Sequence, residues 1–412
     1  MAKILIHSLI FSPDGVSTAY LYSDIARRLH EEGHEVVVLS TTPHYNIVEE
    51  ALAKQPIRWK VLGICKQSNY HGIKVYHIPQ RKFKSTILRL IGFVYWHIIA
   101  FIIGLSIRKV DVILSPSPPL TIGVINNWLK KLKGCRTIYN VQEIYPDILS
   151  KKEGMVVNVL KKMERYVYNK SDAVTTIDQV FYDTIVGRFN DTTKLHIVPN
   201  FVDTDLYNLS NNDVSLLDQN MFPETDTLKV MYAGNIGFAQ DWETLVDLAK
   251  LTRDDNIEYF VIGEGVKRGW LEDQKDAYGL YKIHVLPYQK RELMPILLAY
   301  SDVQFIFMSP QMEGQGFPSK VYTIMACGRP LMVCSGEDTP IVNFLQDKGC
   351  GLLDTEKSQV EKVAMLREWL INQTKETLRE MGARGLSTIE QEYTKEIVTG
   401  QYLALIENLC NK

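Results

Sequence analysis

The segment 3–40, KILIHSLIFSPDGVSTAYLYSDIARRLHEEGHEVVVLS, reads as a strand, a helix and a second strand. Residues 3–9 form an apolar run of strand length, 17–32 repeat apolar residues at helical spacing, and 35–40 are rich in β-branched residues. Gly33 stands where the helix has to stop in a left-handed turn. Strands without a polar face are buried on both sides, and a strand–helix–strand unit of this kind joins parallel neighbours. The same alternation predicts strands at 74–78, 111–115, 136–140, 173–176 and 196–198. After Pro199-Asn200 a polar run, 203–220, carries Asn, Asp and Ser without hydrophobic period and is expected to connect two domains. A second alternation follows, with strands at 229–233, 258–262, 282–286, 303–307 and 331–334 and helices at 242–251, 291–300 and 319–327. The expected class is α/β, with two doubly wound Rossmann-like domains and a ligand cleft at the carboxyl ends of their strands.

At 412 residues the chain is too long for one ordinary core. Its 46% apolar and 23% charged residues exclude a disordered or fibrous protein. Six cysteines without a Cys-x-x-Cys pair or a His cluster argue against a structural zinc or disulfide framework and fit a reducing compartment. The N-terminus lacks a small-residue cleavage site and is expected to be a buried strand, not a signal peptide. The formal charge of −2 conceals an asymmetry: residues 1–190 carry 25 Lys and Arg against 15 Asp and Glu, and the remainder carries 21 against 33. The basic half is expected to face something anionic, a membrane surface or a phosphate-rich substrate. Residues 87–107 are apolar enough to span a bilayer, but Arg89 and His97 and the strand that follows at 111–115 disfavour it. Residues 81–110 contain six Lys or Arg and no acid, so the alternatives are a helix lying in the headgroup region and an ordinary buried helix.

Three glycine turns follow strands: Ser12-Pro13-Asp14-Gly15-Val16-Ser17, Gly234-Asn235-Ile236-Gly237 and Gly263-Glu264-Gly265. Backbone N–H groups in such turns can meet phosphates or sugar hydroxyls. None fits Gly-x-Gly-x-x-Gly followed by a ribose-binding acid, which disfavours a nicotinamide dehydrogenase. The strongest local signal is 316–330, GFPSKVYTIMACGRP. Pro318 suits a first helical position, and the free amides of the first turn beside Lys320 offer a diphosphate site.

The glycine turn after the first strand, 27–38 (RRLHEEGHEVVV), Val198-Pro199-Asn200, 232–237 (YAGNIG), 262–265 and the 318–330 run together resemble the group 1 glycosyltransferases of the GT-B fold. They are similar in particular to the branch that builds bacterial O-antigen and capsule with aminosugars and fucosamine, which has a Pro-Ser-Lys version of the last motif. The resemblance implies domains at 1–200 and 201–389, with a C-terminal helix at about 390–412 crossing back to the first. It also implies a retaining, metal-independent hexosyltransferase without cofactor. The substrates would be a nucleotide diphosphate sugar (UDP favoured, GDP or dTDP as alternatives) and a polyprenyl-diphosphate acceptor. The protein would work at the cytoplasmic face of the membrane, without a nucleic-acid partner.

By that carry-over, the donor is held by Gly15 and Val16, by Asn235, Ile236 and Gly237, by Gly263 and Glu264, and by Gln315, Gly316, Phe317, Pro318, Ser319, Lys320 and Thr323. Gly15, Glu143 and Lys320 are the candidate catalytic positions, and Tyr45, Gln142 and Asp147 lie on the acceptor side. The chain departs from the broader family where that family has two Glu residues, here Gln315 and Thr323. It also lacks the Arg and Lys clamp, here Asn235 and Gln240, and the His-Asp pair, here Gln142-Glu143. These departures keep two other readings open: a catalytically silent sugar-nucleotide-binding subunit and a GT-B epimerase of UDP-sugars.

Overall fold

The computed structural model describes residues 1–60, 64–80, 85–147, 154–311, 313 and 317–411; of Thr86 it describes only the backbone. The chain divides into two compact units, Met1–Asn200 with Glu396–Lys412, and Phe201–Lys395.

The first unit runs β1 (Lys3–His7), α1 (Ser17–Glu31), β2 (Glu35–Thr41), α2 (Glu49–Lys54), β3 (Arg58–Lys60), β4 (Cys65–Tyr70), β5 (Ile73–Ile78), α3 (Thr86–Ser106), β6 (Val112–Pro116), α4 (Leu120–Lys133), β7 (Arg136–Val141), α5 (Met155–Lys170), β8 (Ala173–Thr176), α6 (Gln179–Ile185) and β9 (Leu195–Ile197). Its sheet has the order β3-β4-β5-β2-β1-β6-β7-β8-β9, parallel except where β4 pairs with β3 and β5. That antiparallel edge was not legible as a strand pattern, because Lys66, Gln67 and Asn69 interrupt the apolar run. Side-chain alternation sorts the two sheet faces. Leu5, Val37, Leu39 and Ile113 pack under α3 and α4, against Trp96, Ala100, Ile122 and Leu129. Each buried Val, Leu or Ile there contributes about 1.5–3 kcal/mol by leaving water.

The second unit runs β10 (Leu228–Ala233), α7 (Trp242–Leu251), β11 (Ile257–Ile262), α8 (Arg268–Tyr278), β12 (Ile283–Leu286), α9 (Met294–Tyr300), β13 (Val303–Phe307), α10 (Lys320–Ala326), β14 (Leu331–Cys334), α11 (Pro340–Leu345), β15 (Gly351–Asp354), α12 (Gln359–Ile371) and α13 (Lys375–Thr388). Its six-stranded sheet, β12-β11-β10-β13-β14-β15, is wholly parallel. α14 (Lys395–Cys410) starts at the last residue of this unit and continues into the first.

Three expectations are corrected. The polar run 203–220 is no free connector: Tyr207 and Leu217 are buried in the second unit, and Lys395 Nζ holds Asp203 and Asp205 at 2.9 and 2.5 Å. Its few anchors are spaced without helical or strand period, so pattern reading missed them. The expected helix 291–300 is a 3-10 turn, Arg291–Leu293, leading into α9, where Pro295 lacks an N–H to continue an earlier helix. The helix expected at 319–327 is the shorter α10, with Ser319 as its cap residue.

Candidate functional site

In the second unit, the turns leaving β10 and β11 lie in backbone contact. Gly234 N donates to Ile262 O and Ile236 N to Glu264 O, both at 2.9 Å, and Lys267 N returns to Ile236 O at 2.9 Å. No side chain fits between them: a Cβ at Gly263 would stand 1.9 Å from Gly234 O, and one at Gly265 2.2 Å from Ile236 O. Both glycines have positive φ, 148° and 158°. The turns are therefore glycine by steric necessity and by conformation. Trp242 Nε1 donates to Gly237 O at 2.8 Å, Ser309 Oγ to Phe238 O at 2.7 Å and Tyr232 OH to Asn235 O at 2.9 Å, so the loop after β10 is tied down from three sides.

Lys320 completes this corner. α10 begins beyond β13, and the Lys320 ammonium reaches back over the Tyr232 ring, 3.6 Å from its centroid, to donate to Ala233 O at 3.2 Å. It has no carboxylate partner among the described residues. Lys320 is half-buried, and its charged end sits against the ring and the glycine turn. Desolvation there pulls its pKa down to about 7. A cation in this position gains most from an anion arriving beside it.

The other expected donor residues divide. Asn235 and Gly237 lie in the tied loop, and a Cβ on Gly237 would touch Asn235 Nδ2 at 2.7 Å. The Ile236 side chain is fully buried in the core, so only its backbone serves the turn. Glu264 is half turned to solvent and paired with Arg268 NH1 at 2.6 Å, which also donates to Gly263 O at 3.0 Å. Arg268 is thus a second cation at the turn that sequence reading missed; its position at the start of α8 was the available signal. Phe317 packs on Tyr322 and Phe344, 5.1 and 5.0 Å between centroids, and acts as an anchor of the loop. Thr323 Oγ1 bonds back to Lys320 O at 2.9 Å, where the broader family has its second Glu. Pro318 and Ser319 precede α10, but Val321 N and Tyr322 N are already bonded to their carbonyls at 3.0 and 3.2 Å. The expected cradle of free amides is reduced accordingly, because the entry to this short helix is wound as a 3-10 turn. Gln315 and Gly316 lie outside the described residues. Gln240 is buried, its Nε2 on Ala239 O at 3.3 Å, and does not replace a clamp.

In the first unit, Gly15 and Val16 lead into α1, whose first turn has no side-chain cap. Asp14 is buried and accepts from His44 N and Tyr45 N at 3.0 and 2.9 Å, drawing the 42–46 loop onto the glycine turn and leaving Tyr45 half exposed. A Cβ at Gly15 would stand 2.8 Å from Val48 and 2.9 Å from Asn46 O. Glu143 sits at the exit of β7, its backbone fastened by Ser117 Oγ, and burial raises its carboxyl pKa above the usual range.

Gln142 and Asp147, expected on the acceptor side, are both held by neighbouring side chains. Gln142 exchanges two hydrogen bonds of 2.9 Å with Asn200 and donates to Asn140 Oδ1 at 2.6 Å. Asn140 is bonded in turn to Tyr22 and Thr175, both at 2.8 Å, so Gln142 belongs to a structural network. Asp147 is held by Arg188 NH2 at 2.5 Å, and Arg188 NH1 also reaches the buried Glu164 at 2.6 Å. An ion-paired carboxylate of this kind anchors the β7 exit.

Residues 19–206 match the family model Glycosyltransferase Family 4, and residues 217–387 match Glycosyl transferases group 1. The putative colanic acid biosynthesis glycosyl transferase WcaI of Escherichia coli (strain K12) is 24% identical over 337 residues, covering 79% of this chain and 81% of its own. The probable glycosyltransferase WbjE of Pseudomonas aeruginosa is 23% identical over 74% of this chain and 76% of its own. The crystal structure of Anabaena HepE in complex with UDP-glucose matches with a TM-score of 0.72 over 99% of this chain and 100% of that one; at 14% identity this likeness is one of fold.

Proposed function

We propose that the chain, matched by Glycosyltransferase Family 4 in its first part and by Glycosyl transferases group 1 in its second, is a GT-B glycosyltransferase that moves a sugar from a UDP-sugar to a lipid-linked glycan during polysaccharide synthesis. The observation that carries the donor half of this reading is Lys320, a desolvated ammonium with no carboxylate partner among the described residues, beside two turns too tight for any side chain. A diphosphate there meets the cation, and the charge that grows on it as the glycosidic bond breaks is stabilised in place. HepE binds UDP-glucose, and WcaI is named for colanic acid biosynthesis; both names support the donor class and the pathway class.

In the proposed reaction the bond from the sugar C1 to the diphosphate oxygen breaks, and the acceptor hydroxyl adds to C1 from the same face. Its proton passes to the departing diphosphate, and the configuration is retained. Lys320 takes the place of the family's cationic clamp, and Glu143 with Tyr45 faces the acceptor. The donor sugar is an N-acetylated hexosamine or deoxyhexosamine in this reading. The scheme uses no metal and no cofactor.

The test is a thermal-shift panel of UDP, GDP, dTDP, UDP-N-acetylglucosamine, UDP-N-acetylfucosamine, UDP-galactose and GDP-mannose. A selective rise in midpoint with one UDP-sugar is expected, followed by transfer of that sugar to a polyprenyl-diphosphate glycan with retained configuration. Binding without transfer to any such acceptor favours a catalytically silent subunit, and no shift at all removes the donor assignment.

A further inference from the structure

α3 is long and apolar enough to cross a membrane, with a mean hydropathy of 2.0 over Ile87–Ser106, yet it is anchored lengthwise on the first unit's sheet. Trp96, Ala100, Ile103 and the following Ile107 are buried against Leu5, Val37 and Ile113. His97 ties it further: Nδ1 donates to Phe93 O and Nε2 accepts from Thr121 Oγ1 of α4, each at 2.7 Å. At its end, Lys133 Nζ of α4 donates to Leu105 O and Ile107 O at 3.0 and 2.6 Å. Crossing a bilayer would strip this inner stripe out of the core, so a span is incompatible with the fold.

The opposite stripe is unpartnered. Ile87, Ile91, Val94, Ile98, Ile102 and Leu105 recur at three- and four-residue spacing and are between 38% and 71% exposed. Trp128 of α4 packs edge-on to Phe101, 6.3 Å between centroids, and leaves half its surface in solvent; Leu132, one turn on, is 64% exposed. The face is roughly 30 Å long, from the helix rise, and a contiguous exposed apolar stripe of this kind marks an interaction surface.

Charge decides the occupant. Residues 51–142 contain 15 Lys and Arg and a single acid, Asp111. α3 and α4 have no acid at all, and the exposed Arg89, Arg108 and Lys109 stand at the two ends of the apolar stripe. Arg81, Lys82 and Lys84, singled out by sequence, lie outside the described residues. An apolar stripe with cations at its ends and an indole at its edge fits the boundary between acyl chains and anionic headgroups. A like-charged second copy of the same face does not.

We propose that the outer stripe of α3, with Trp128 and Leu132 of α4, docks the first unit flat on an anionic phospholipid surface, as an in-plane element. The assignment rests on the lipid-linked acceptor of the proposed function, which this surface would bring within reach.

The test uses the full-length chain, co-sedimented with vesicles of phosphatidylethanolamine and phosphatidylglycerol and with vesicles of phosphatidylcholine alone. The combined variant Ile91→Ser, Ile98→Ser, Ile102→Ser alters only exposed positions, and its thermal midpoint checks the fold. The parent is expected to bind the anionic vesicles, more weakly as salt rises, and the variant at least about tenfold more weakly at low salt. Equal binding of variant and parent overturns the surface. Equal binding of the parent to both vesicle types overturns the role of the cations. A parent that dimerises and ignores vesicles, with a monomeric variant, assigns the face to a second copy and overturns the proposal. The sugar-nucleotide thermal shift is run on both proteins. Its absence with vesicle binding intact defeats the transferase reading alone, and its presence without vesicle binding defeats the surface alone.

Discussion

The exits of the strands are built differently in the two units. At β10 and β11 the second unit presents glycine backbone and the Lys320 ammonium, with side chains kept out by contacts as close as 1.9 Å to a would-be Cβ. At β7 the first unit presents polar side chains, Asn140, Gln142 and Asn200, that mostly satisfy one another. The former leaves the Lys320 charge, with no carboxylate among the described residues, to an anion; the latter is closed in on itself and holds chain segments together. A run of polar residues at a strand exit is therefore poor evidence of a ligand until its partners are known, whereas a glycine pair at positive φ beside a Lys with no carboxylate among the described residues is much stronger.

The largest effect that can break this contrast is expected at Gly263. Gly263→Ala forces a methyl into Gly234 O at a backbone angle that L-residues avoid, and at least about 2–3 kcal/mol of stability should go with it. The thermal midpoint and the loss of any sugar-nucleotide shift read this out; an unperturbed variant would mean that the two turns are not in contact.

Lys320→Met comes next. Turnover should fall about a hundredfold, on the scale of removing one charge-stabilising contact, while stability is kept because the ammonium has no carboxylate to lose among the described residues. Unchanged kcat at saturating donor removes Lys320 from the reaction. The same lysine sets a pH dependence. With a pKa of about 7 in the free protein, it must take up a proton to meet the diphosphate above that pH. Donor affinity of the parent should then weaken by up to about tenfold per pH unit from 7 upward, and the Met variant should show no such slope. Stability runs the other way: the unfolded chain holds this proton up to its ordinary 10.5, so folding becomes more favourable between about 7 and 10.5.

In the first unit, Gln142→Ala should cost about 1–2 kcal/mol by orphaning Asn200, with donor binding untouched. A loss of donor binding at full stability would instead make Gln142 a ligand residue. The smallest and broadest effect is acid sensitivity of this unit. Burial lowers the pKa of His7 and of His77 from 6.5 to about 4, so below 6.5 the unfolded chain gains protons that the native one refuses. Their stabilising contribution is complete above pH 6.5 and is lost as pH falls toward 4. Replacing either by a neutral isostere should flatten the acid limb of a midpoint-against-pH curve.

Alternation of buried runs and amphipathic helices made both sheets legible, since burial on one or two faces is written into local periodicity. The glycine turns and Lys320 were legible because conformational need and charge belong to single residues. The antiparallel β3–β4 edge and the packing of 203–220 were not, because a few polar residues mask a short strand and isolated anchors have no period.

By itself, then, the chain determined two α/β domains, the positions of the glycine turns and a cation at the start of α10. Only the tertiary structure decided what surrounds them. It buried the Lys320 ammonium against Tyr232 and Ala233 O, matched Gln142 to Asn200 58 residues away, paired Asp147 with Arg188, and buried one stripe of α3 while leaving the other bare. These outcomes depend on which strand lies beside which, and that information resides in long-range register and packing.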